Sequence, residues 1–552
     1  MAQTAADHLD SLVNFLSDPL VSSLFASHPN DLGTASFQPP GEWDSWWSWA
    51  AGGTHSEEDS DGGELWTRLI QYYDFCRSSD TSASATMVDE IERLPVPFQG
   101  IPPSLRSLIG TASHLAVKRE PGHVIYPPSS DDMSQLHVRQ KDRPGDGMHS
   151  VSANALRGMS PKKAHEVVQM SSFIGELLGN CSALSDVDHV VDVGAGQGYL
   201  SRALRDELGL HVLALDYSDI QTQGAAKRDT PTKQKRRAAP GGSEESTSIS
   251  RQTGHHADTG RSQDGNEEVK TQRGSLTYVT AKIDADTLRQ STRAWVESDG
   301  TVVDRRPSEE QTGRGPKPVL FVALHACGSL TPDILRAFAG QPSAKVCWTP
   351  RAAVVVGCCY NMLRAEDFPL SHALRSRVAL NPNHLQLAAQ LPAQWMRSED
   401  TLRDARLALR KVVWRALIQD VLQPPHPNPS SGDPGSGSAE AAGKQRLGRL
   451  NDSAYADWET FADRVRTRLG MREGSLVRAD RATERRIEVF HTLRCIVGPV
   501  IESLIMLDRA VWLEEELQGT GFRVELVNLF DQASGSGRNV AVVILPDDRT
   551  RW

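Results

Sequence analysis

Seven cysteines in 552 residues, at positions 76, 181, 327, 347, 358, 359 and 495, show no ladder of paired spacings and no Cys-x-x-Cys. That pattern argues against a disulfide framework and fits a reducing compartment. Positive charge is not in excess. Sixty Lys and Arg against 70 Asp and Glu leave a net charge of −10 and a pI near 6.0. A global pull toward nucleic acid is therefore excluded, while a local basic cleft is not. No run of about 18 apolar residues occurs, so no membrane span is expected. The first residues lack a charged segment followed by an apolar one, so no secretory leader is expected. The expected location is cytoplasmic, nuclear or both. Apolar residues make up only 39%, with 43 Gly and 31 Pro, so part of the chain is expected to stay unfolded.

What the chain does have is Val190-Val191-Asp192-Val193-Gly194-Ala195-Gly196-Gln197-Gly198-Tyr199-Leu200. The apolar residues and Asp192 read as a buried strand, the glycines as a tight turn, and Ser201 to Leu208 as a helix. Glycine lets a backbone approach a ligand closely and take positive φ. The spacing is Gly-x-Gly-x-Gly, with Tyr199 where the dinucleotide fingerprint has its last glycine. A second run, His211 to Leu215, ends in Asp216, an acid placed to accept hydrogen bonds from both hydroxyls of a ribose. Asp192, Gly194, Ala195, Gly196, Gly198, Tyr199 and Asp216 are thus the candidate cofactor residues, and S-adenosylmethionine is the cofactor they suggest. A nicotinamide-binding unit or a structural turn are the competing readings.

Along the chain, residues 1–118 read as a helical N-terminal region and 119–150 as a linker. Residues 151–552 read as the catalytic-type domain. A first amphipathic helix carries Leu9, Leu12, Val13 and Leu16. Trp43, Trp46, Trp47 and Trp49 crowd one segment, as a packing face or as a stacking platform. Ser104 is a candidate cap for a helix to Leu115, and Ser160-Pro161 suits the start of another. Lys162 and Lys163 at that start oppose the helix dipole and hint at a nearby anion. Polar tracts at 221–274, 298–317 and 423–443 read as disordered insertions. The first contains Lys233-Gln234-Lys235-Arg236-Arg237, a solvated run, an import signal or a nucleic-acid contact. Further strands are expected at Leu276–Ile283, Val319–Leu324 and Ala352–Gly357. Thr331-Pro332 reads as a helix start, and helices are expected at 481–495 and from Gly498 to Leu517. Phe522–Phe530 and Val540–Leu545 read as an antiparallel hairpin. It closes a Rossmann-like, seven-stranded α/β sheet.

Ligands of such sheets bind at the carboxyl ends of the strands. Those ends carry His325 with Cys327, and Cys358-Cys359-Tyr360-Asn361. His325 is a candidate proton acceptor, Tyr360 and Asn361 candidate orienting groups, and Lys163 a candidate contact to cofactor or acceptor. His325 also reads as a structural histidine, and the three cysteines as packed thiols, with Cys327 beside His325 kept among the catalytic candidates. Zinc on His325, Cys327, Cys358 and Cys359 is disfavoured by the awkwardness of adjacent cysteines sharing one tetrahedral ion, and no metal is expected. The Asn/Asp-Pro-Pro-aromatic run of amino-directed nucleobase methyltransferases is absent after the fourth strand, which argues against N6-adenine methylation.

Several motifs resemble the eukaryotic methyltransferase-like 25 family, also labelled ribosomal-RNA-adenine-dimethylase-domain-containing. They are Ser160 to Lys163 with His165-Glu166-Val167, Asp192 to Ser201, and Leu324 to Gly328 with Leu330-Thr331. Cys358-Cys359-Tyr360, Phe368 to Ser371 and Glu502 to Arg509 complete them. Where the family pattern has Ser-Pro before Arg538-Asn539, this chain has Ser536-Gly537. The resemblance implies a class I S-adenosylmethionine-dependent methyltransferase. His325-x-Cys327-Gly328 with Cys358-Cys359 is also similar to a tRNA 2′-O-methyltransferase family whose second motif is Cys-Cys-His, where this chain has Tyr360. The expectation is methyl transfer to a macromolecular acceptor, RNA or protein. The different-class alternative is a methyltransferase-fold scaffold without catalysis. Oligomeric state is not read from the sequence.

Overall fold

A computed structural model describes residues 5–30, 37–43, 65–78, 95, 98–122, 124–127, 156, 158–229, 274–299, 315–340, 347–422, 447–472, 476, 478 and 481–547. Its strands are β1 (Val124–Tyr126), β2 (His189–Val193), β3 (His211–Asp216), β4 (Leu276–Thr280), β5 (Lys317–Cys327), β6 (Trp348–Cys358), β7 (Phe522–Asn528) and β8 (Val540–Pro546). They form one sheet in the order β1-β7-β8-β6-β5-β2-β3-β4. β2 to β6 run parallel, β8 runs antiparallel to both β6 and β7, and β1 is antiparallel to β7. The fold is Rossmann-like α/β. The expected strands and the closing hairpin are there, and β1 adds an eighth strand at the edge.

The chain steps from β2 outward to β3 and β4, then returns to β5 on the other side of β2. That reversal opens a crevice at the carboxyl ends of β2 and β5, where such sheets bind ligands. Alternate side chains feed two cores, as the pleat requires. Val191, Leu213, Phe321 and Val355 join one, while Val190, Val212, Val322 and Val354 join the other. The helices Pro161–Asn180 and Tyr199–Leu208 cover the second face. Ala285–Asp299, Leu330–Ala339 and Arg481–Glu516 cover the first.

The helix Arg481–Glu516 is 36 residues long and continuous through Pro499, so the expected break at Gly498-Pro499 does not occur. A Cβ at Gly498 would stand 2.2 Å from the carbonyl oxygen of Leu387. The glycine therefore serves a close approach of two backbones rather than a helix end. By length and composition this helix is apolar enough to cross a bilayer, but 94% of the apolar window is buried inside the protein. Ile496, Ile501, Leu504 and Ile505 are fully buried, each contributing roughly 1.5–3 kcal/mol.

The N-terminal helices Ala5–Ser17, Pro19–Ala26, Leu65–Ser78 and Pro103–Leu115 pack on that long helix. The indole N–H of Trp43 donates to Ser104 Oγ at 2.7 Å, and Trp66 meets Trp395 edge-on at 5.9 Å. Both are buried, so these two tryptophans pack the core. Trp46, Trp47 and Trp49 lie outside the described residues. Ser104 does not cap its helix. The cap is Pro102 with Pro103 in the first turn, because proline needs no N–H there and already holds helical φ. Likewise Ser329, not Thr331, precedes the helix Leu330–Ala339, and Thr331 Oγ1 donates back to Ala326 O at 2.9 Å.

Two stretches read as irregular are ordered in part. Of the linker 119–150, Val124–Tyr126 pairs with β7 and Arg119 reaches Glu502. Three residues are too short to show a strand period, but an open sheet edge supplies their partners. Of the tract 221–274, residues up to 229 belong to the helix Asp219–Asp229, held by buried Ala225 and by Arg205–Asp229 at 2.7 Å. One buried residue leaves almost no periodic signal. The rest of that tract, the basic run, residues 300–314 and 423–443 lie outside the described residues.

Candidate functional site

The turn after β2 has Gly194, Gly196 and Gly198 at φ of 76°, 55° and 66°. The N–H groups of Gly194 and Ala195 donate to Leu215 O at 2.8 and 2.9 Å, which ties the turn to the end of β3. Asp216 completes the tie. Its Oδ2 accepts the Gly196 N–H and its Oδ1 the Ser218 N–H, both at 2.8 Å. A carboxylate offers about four acceptor sites, so two remain for a vicinal diol. A Cβ at Gly196 would meet nothing within 4 Å, so the bend opens on free space. Gly198 is closed, since a Cβ there would stand 2.9 Å from the Tyr278 ring. Tyr199 faces outward from the bend, its hydroxyl donating to Gly158 O at 3.1 Å and its ring under Arg202 and Arg228.

Beside Asp216 stand Tyr217 and Ile220, 80% and 82% exposed. Two large apolar side chains left open next to the Asp216 carboxylate would suit a flat aromatic base. They were not singled out in the sequence, where Tyr217 opens a polar stretch. Asp192 lies under the bend and accepts from Ser201 Oγ at 2.5 Å. Burial pushes its carboxyl up to about 6, against the Ser201 hydrogen bond and the Lys163 ammonium. These groups fit an adenosyl sulfonium: an open bend, a carboxylate for the sugar, an apolar flank for the base and a buried acid for a cation.

A second group lies at the ends of β5 and β6. β5 carries one extra residue against β6, because Ala323 pairs with Val355 but Ala326 with Gly357. The bulge lets Leu324 and His325 share a face. Leu324 joins the core under the helix Pro161–Asn180, and His325 Nε2 lies 3.0 Å from Glu166 Oε2 of that helix. Bulges re-aim side chains in this way beside active sites. Lys163, one turn earlier, is 3.5 Å from the same oxygen. Burial raises the Glu166 carboxyl, but His325, Lys163 and Lys162 outweigh it and hold the group below its usual value. Burial lowers the Lys163 ammonium. Lys163 therefore meets its anion within its own helix, while Lys162 is exposed.

Cys327 and Cys358 are register partners at the strand ends, their sulfurs 3.2 Å apart, and Cys359 Sγ is 3.6 Å from Cys327 Sγ. Adjacency does not separate Cys358 from Cys359, because Cys359 takes φ 50° and turns its side chain back. Tyr360 is not brought to this group. It is buried, and its hydroxyl lies 3.0 Å from Glu502 Oε1 in the core. Asn361 follows in an exposed turn. Glu166, like Tyr217 and Ile220, is a site residue that sequence reasoning passed over. Its signal was the motif His165-Glu166-Val167 alone.

Comparison with known proteins points to the same part of the chain. The family described as a methyltransferase domain matches residues 162–366. That span covers the glycine bend, Asp216, His325 and the cysteines. Over about four fifths of its length the chain is similar to methyltransferase-like 25 proteins. It is 24% identical over 535 residues to the "Probable methyltransferase-like protein 25" of Mus musculus, covering 80% of this chain and 83% of that one. It is 23% identical over 518 residues to the Homo sapiens protein of the same name, covering 76% and 79%. No solved structure matches.

Proposed function

We propose that this methyltransferase-domain protein uses S-adenosylmethionine to methylate a macromolecular acceptor, RNA or protein. The observation that carries the reading is the 2.8 Å hydrogen bond from the Gly196 N–H to Asp216 Oδ2. It sets the open bend and the sugar carboxylate on one wall of the crevice at the switch point.

The cofactor, when bound, supplies a methyl group on a positively charged sulfur. The chain's own residues bind and orient. Gly194 to Gly198 give the backbone room. Asp216 keeps two acceptor sites for the sugar hydroxyls. Asp192 meets the positive charge of the amino acid part. Tyr217 and Ile220 exclude water from the base. On the acceptor side, Glu166 fixes His325 at the mouth of the crevice, where His325 takes the proton that the acceptor atom loses.

Titration calorimetry with S-adenosylmethionine tests the cofactor half. Binding is expected for the unmutated chain. Asp216→Ala gives up two hydrogen bonds to a charged acceptor, each about 1.5–3 kcal/mol, and is expected to weaken it at least tenfold. Gly196→Arg fills the open space and abolishes it. No heat with the unmutated chain would leave only the scaffold reading. Tritiated cofactor with total lysate, with and without ribonuclease, then separates an RNA acceptor from a protein one.

A further inference from the structure

Cys327, Cys358 and Cys359 form the cluster of donor side chains that, among the described residues, is close enough to share one ion: their three sulfurs all lie within 4.8 Å of one another. We propose that these three thiols hold a single Zn²⁺ at the carboxyl ends of β5 and β6. The site goes beyond the methyl-transfer reading and does not depend on it.

The spacing is that of ligands rather than of a bond. A tetrahedral site with Zn–S of about 2.3 Å sets its sulfurs about 3.8 Å apart. The separations from Cys327 are 3.2 and 3.6 Å, whereas a disulfide needs about 2.05 Å. The backbone is bent to bring the third sulfur in. A strand alternates its side chains, so Cys358 and Cys359 would point to opposite faces. Cys359 avoids this with φ 50°, a left-handed conformation uncommon and costly for a residue with a Cβ. Gly328, directly after Cys327, also has positive φ, and a Cβ there would stand 2.5 Å from the Met362 backbone. Its N–H donates to Cys358 O at 2.9 Å. The two strand ends are thereby locked together with all three thiols on one side.

Basic side chains stand beside these strand ends. His325 lies two residues before Cys327 at the end of β5. A Cβ at Gly357, the residue before Cys358, would stand 2.8 Å from Arg509 Nη1. Arg509 is buried, and Nε of both Arg509 and Arg538 has no hydrogen-bond partner. On binding, each S–H yields its proton to solvent and its sulfur donates an electron pair to the metal. No electron is transferred. Three thiolates select a soft ion such as zinc over magnesium or calcium and leave a fourth position for water or for a substrate atom.

The test uses the full chain purified under reducing conditions without a histidine tag, its metal content measured by mass spectrometry. One zinc per chain is expected. Cys327→Ser and the double change Cys358→Ser with Cys359→Ser should each lose at least about nine-tenths of it, while Cys347→Ser, at the other end of β6, keeps it. If the serine variants fail to fold by circular dichroism, the unmutated chain decides. Stripped by chelator and titrated with Co²⁺, it should show thiolate charge-transfer and tetrahedral d–d bands that saturate at one equivalent. A metal-free chain with a featureless cobalt spectrum, another metal in place of zinc, or a Cys327–Cys358 disulfide by mass would overturn the proposal.

Discussion

Glu166 and His325 are 159 residues apart in the chain, and their Oε2 and Nε2 atoms are 3.0 Å apart in the fold. The pair depends on a bulge in β5 and on the second turn of the helix Pro161–Asn180. Glu166 is 3% exposed and His325 about a third, so the acid is fixed and the ring reaches the crevice. This arrangement holds a histidine in one orientation without blocking its other nitrogen.

Glu166→Gln keeps the shape and removes the charge. If His325 accepts a proton from the substrate, transfer to the lysate acceptor should fall about a hundredfold, the low end of what a positioned acid–base group contributes. Affinity for S-adenosylmethionine should stay within about twofold, because neither atom faces the bend. Equal losses in transfer and in cofactor affinity would instead make Glu166 a structural support.

Asp192 gives cofactor binding a pH dependence. Its carboxyl is raised to about 6 by burial, opposed by Ser201 and Lys163 and assisted by Asp216. An unfolded aspartate ionises near 3.9, so the fold holds this proton more tightly than the unfolded chain does. For this group, stability of the free protein is greatest below about pH 4. It declines by about 3 kcal/mol as pH rises through 6 and is level above that. A bound cation needs the ionised form, so affinity for S-adenosylmethionine should be constant above pH 6. Below it, affinity should fall toward tenfold per unit. Asp192→Asn should flatten the profile at a weaker value. Calorimetry between about pH 4.5 and 8 reads both curves, and an unmutated profile already flat would refute the assignment.

The glycine bend and Asp216 were legible because each is a local pattern: an apolar run, then glycines or an acid at its end. The parallel strands showed for the same reason. What did not show depends on distance in the chain or on backbone angle. Glu166 meets His325 only once the sheet has formed. Cys359 joins Cys358 on one side only through a φ that spacing cannot reveal. Gly498-Pro499 reads as a helix break, and its use for a close approach to Leu387 depends on a segment 111 residues earlier. The motif Glu502 to Arg509 was recognisable as a family pattern, but its purpose is a polar seam inside the core. Asp508 accepts from Leu370 N, Ser371 N and Ser371 Oγ at 2.8, 2.9 and 2.7 Å.

Gly498→Ala tests the close approach directly. On an exposed helix the change would stabilise by up to about 1 kcal/mol. Here the new methyl would stand 2.2 Å from a backbone oxygen, and overpacking of that kind costs about 1–3 kcal/mol or more. A net loss of about 2 kcal/mol in urea unfolding is expected. A gain would mean that the helix and the Leu387 backbone separate easily.

Glu502 tests what Tyr360 is for. One carboxylate oxygen accepts the Tyr360 hydroxyl at 3.0 Å and the other pairs with Arg119, all three side chains being nearly or fully buried. Glu502→Ala leaves a guanidinium in the core with Asn539 Oδ1 at 3.3 Å as a remaining acceptor. Removing one partner of a buried pair costs about 3–5 kcal/mol, so a large drop in unfolding midpoint is expected. Tyr360→Phe removes one hydrogen bond and should cost about 1–2 kcal/mol, leaving Glu502 with Arg119. The two readings of Tyr360 then part in one assay. A structural tyrosine gives Tyr360→Phe lower stability and unchanged methyl transfer per folded molecule. A tyrosine that orients the acceptor gives lost transfer at unchanged stability. Its burial, and a hydroxyl already turned to Glu502, support the first outcome.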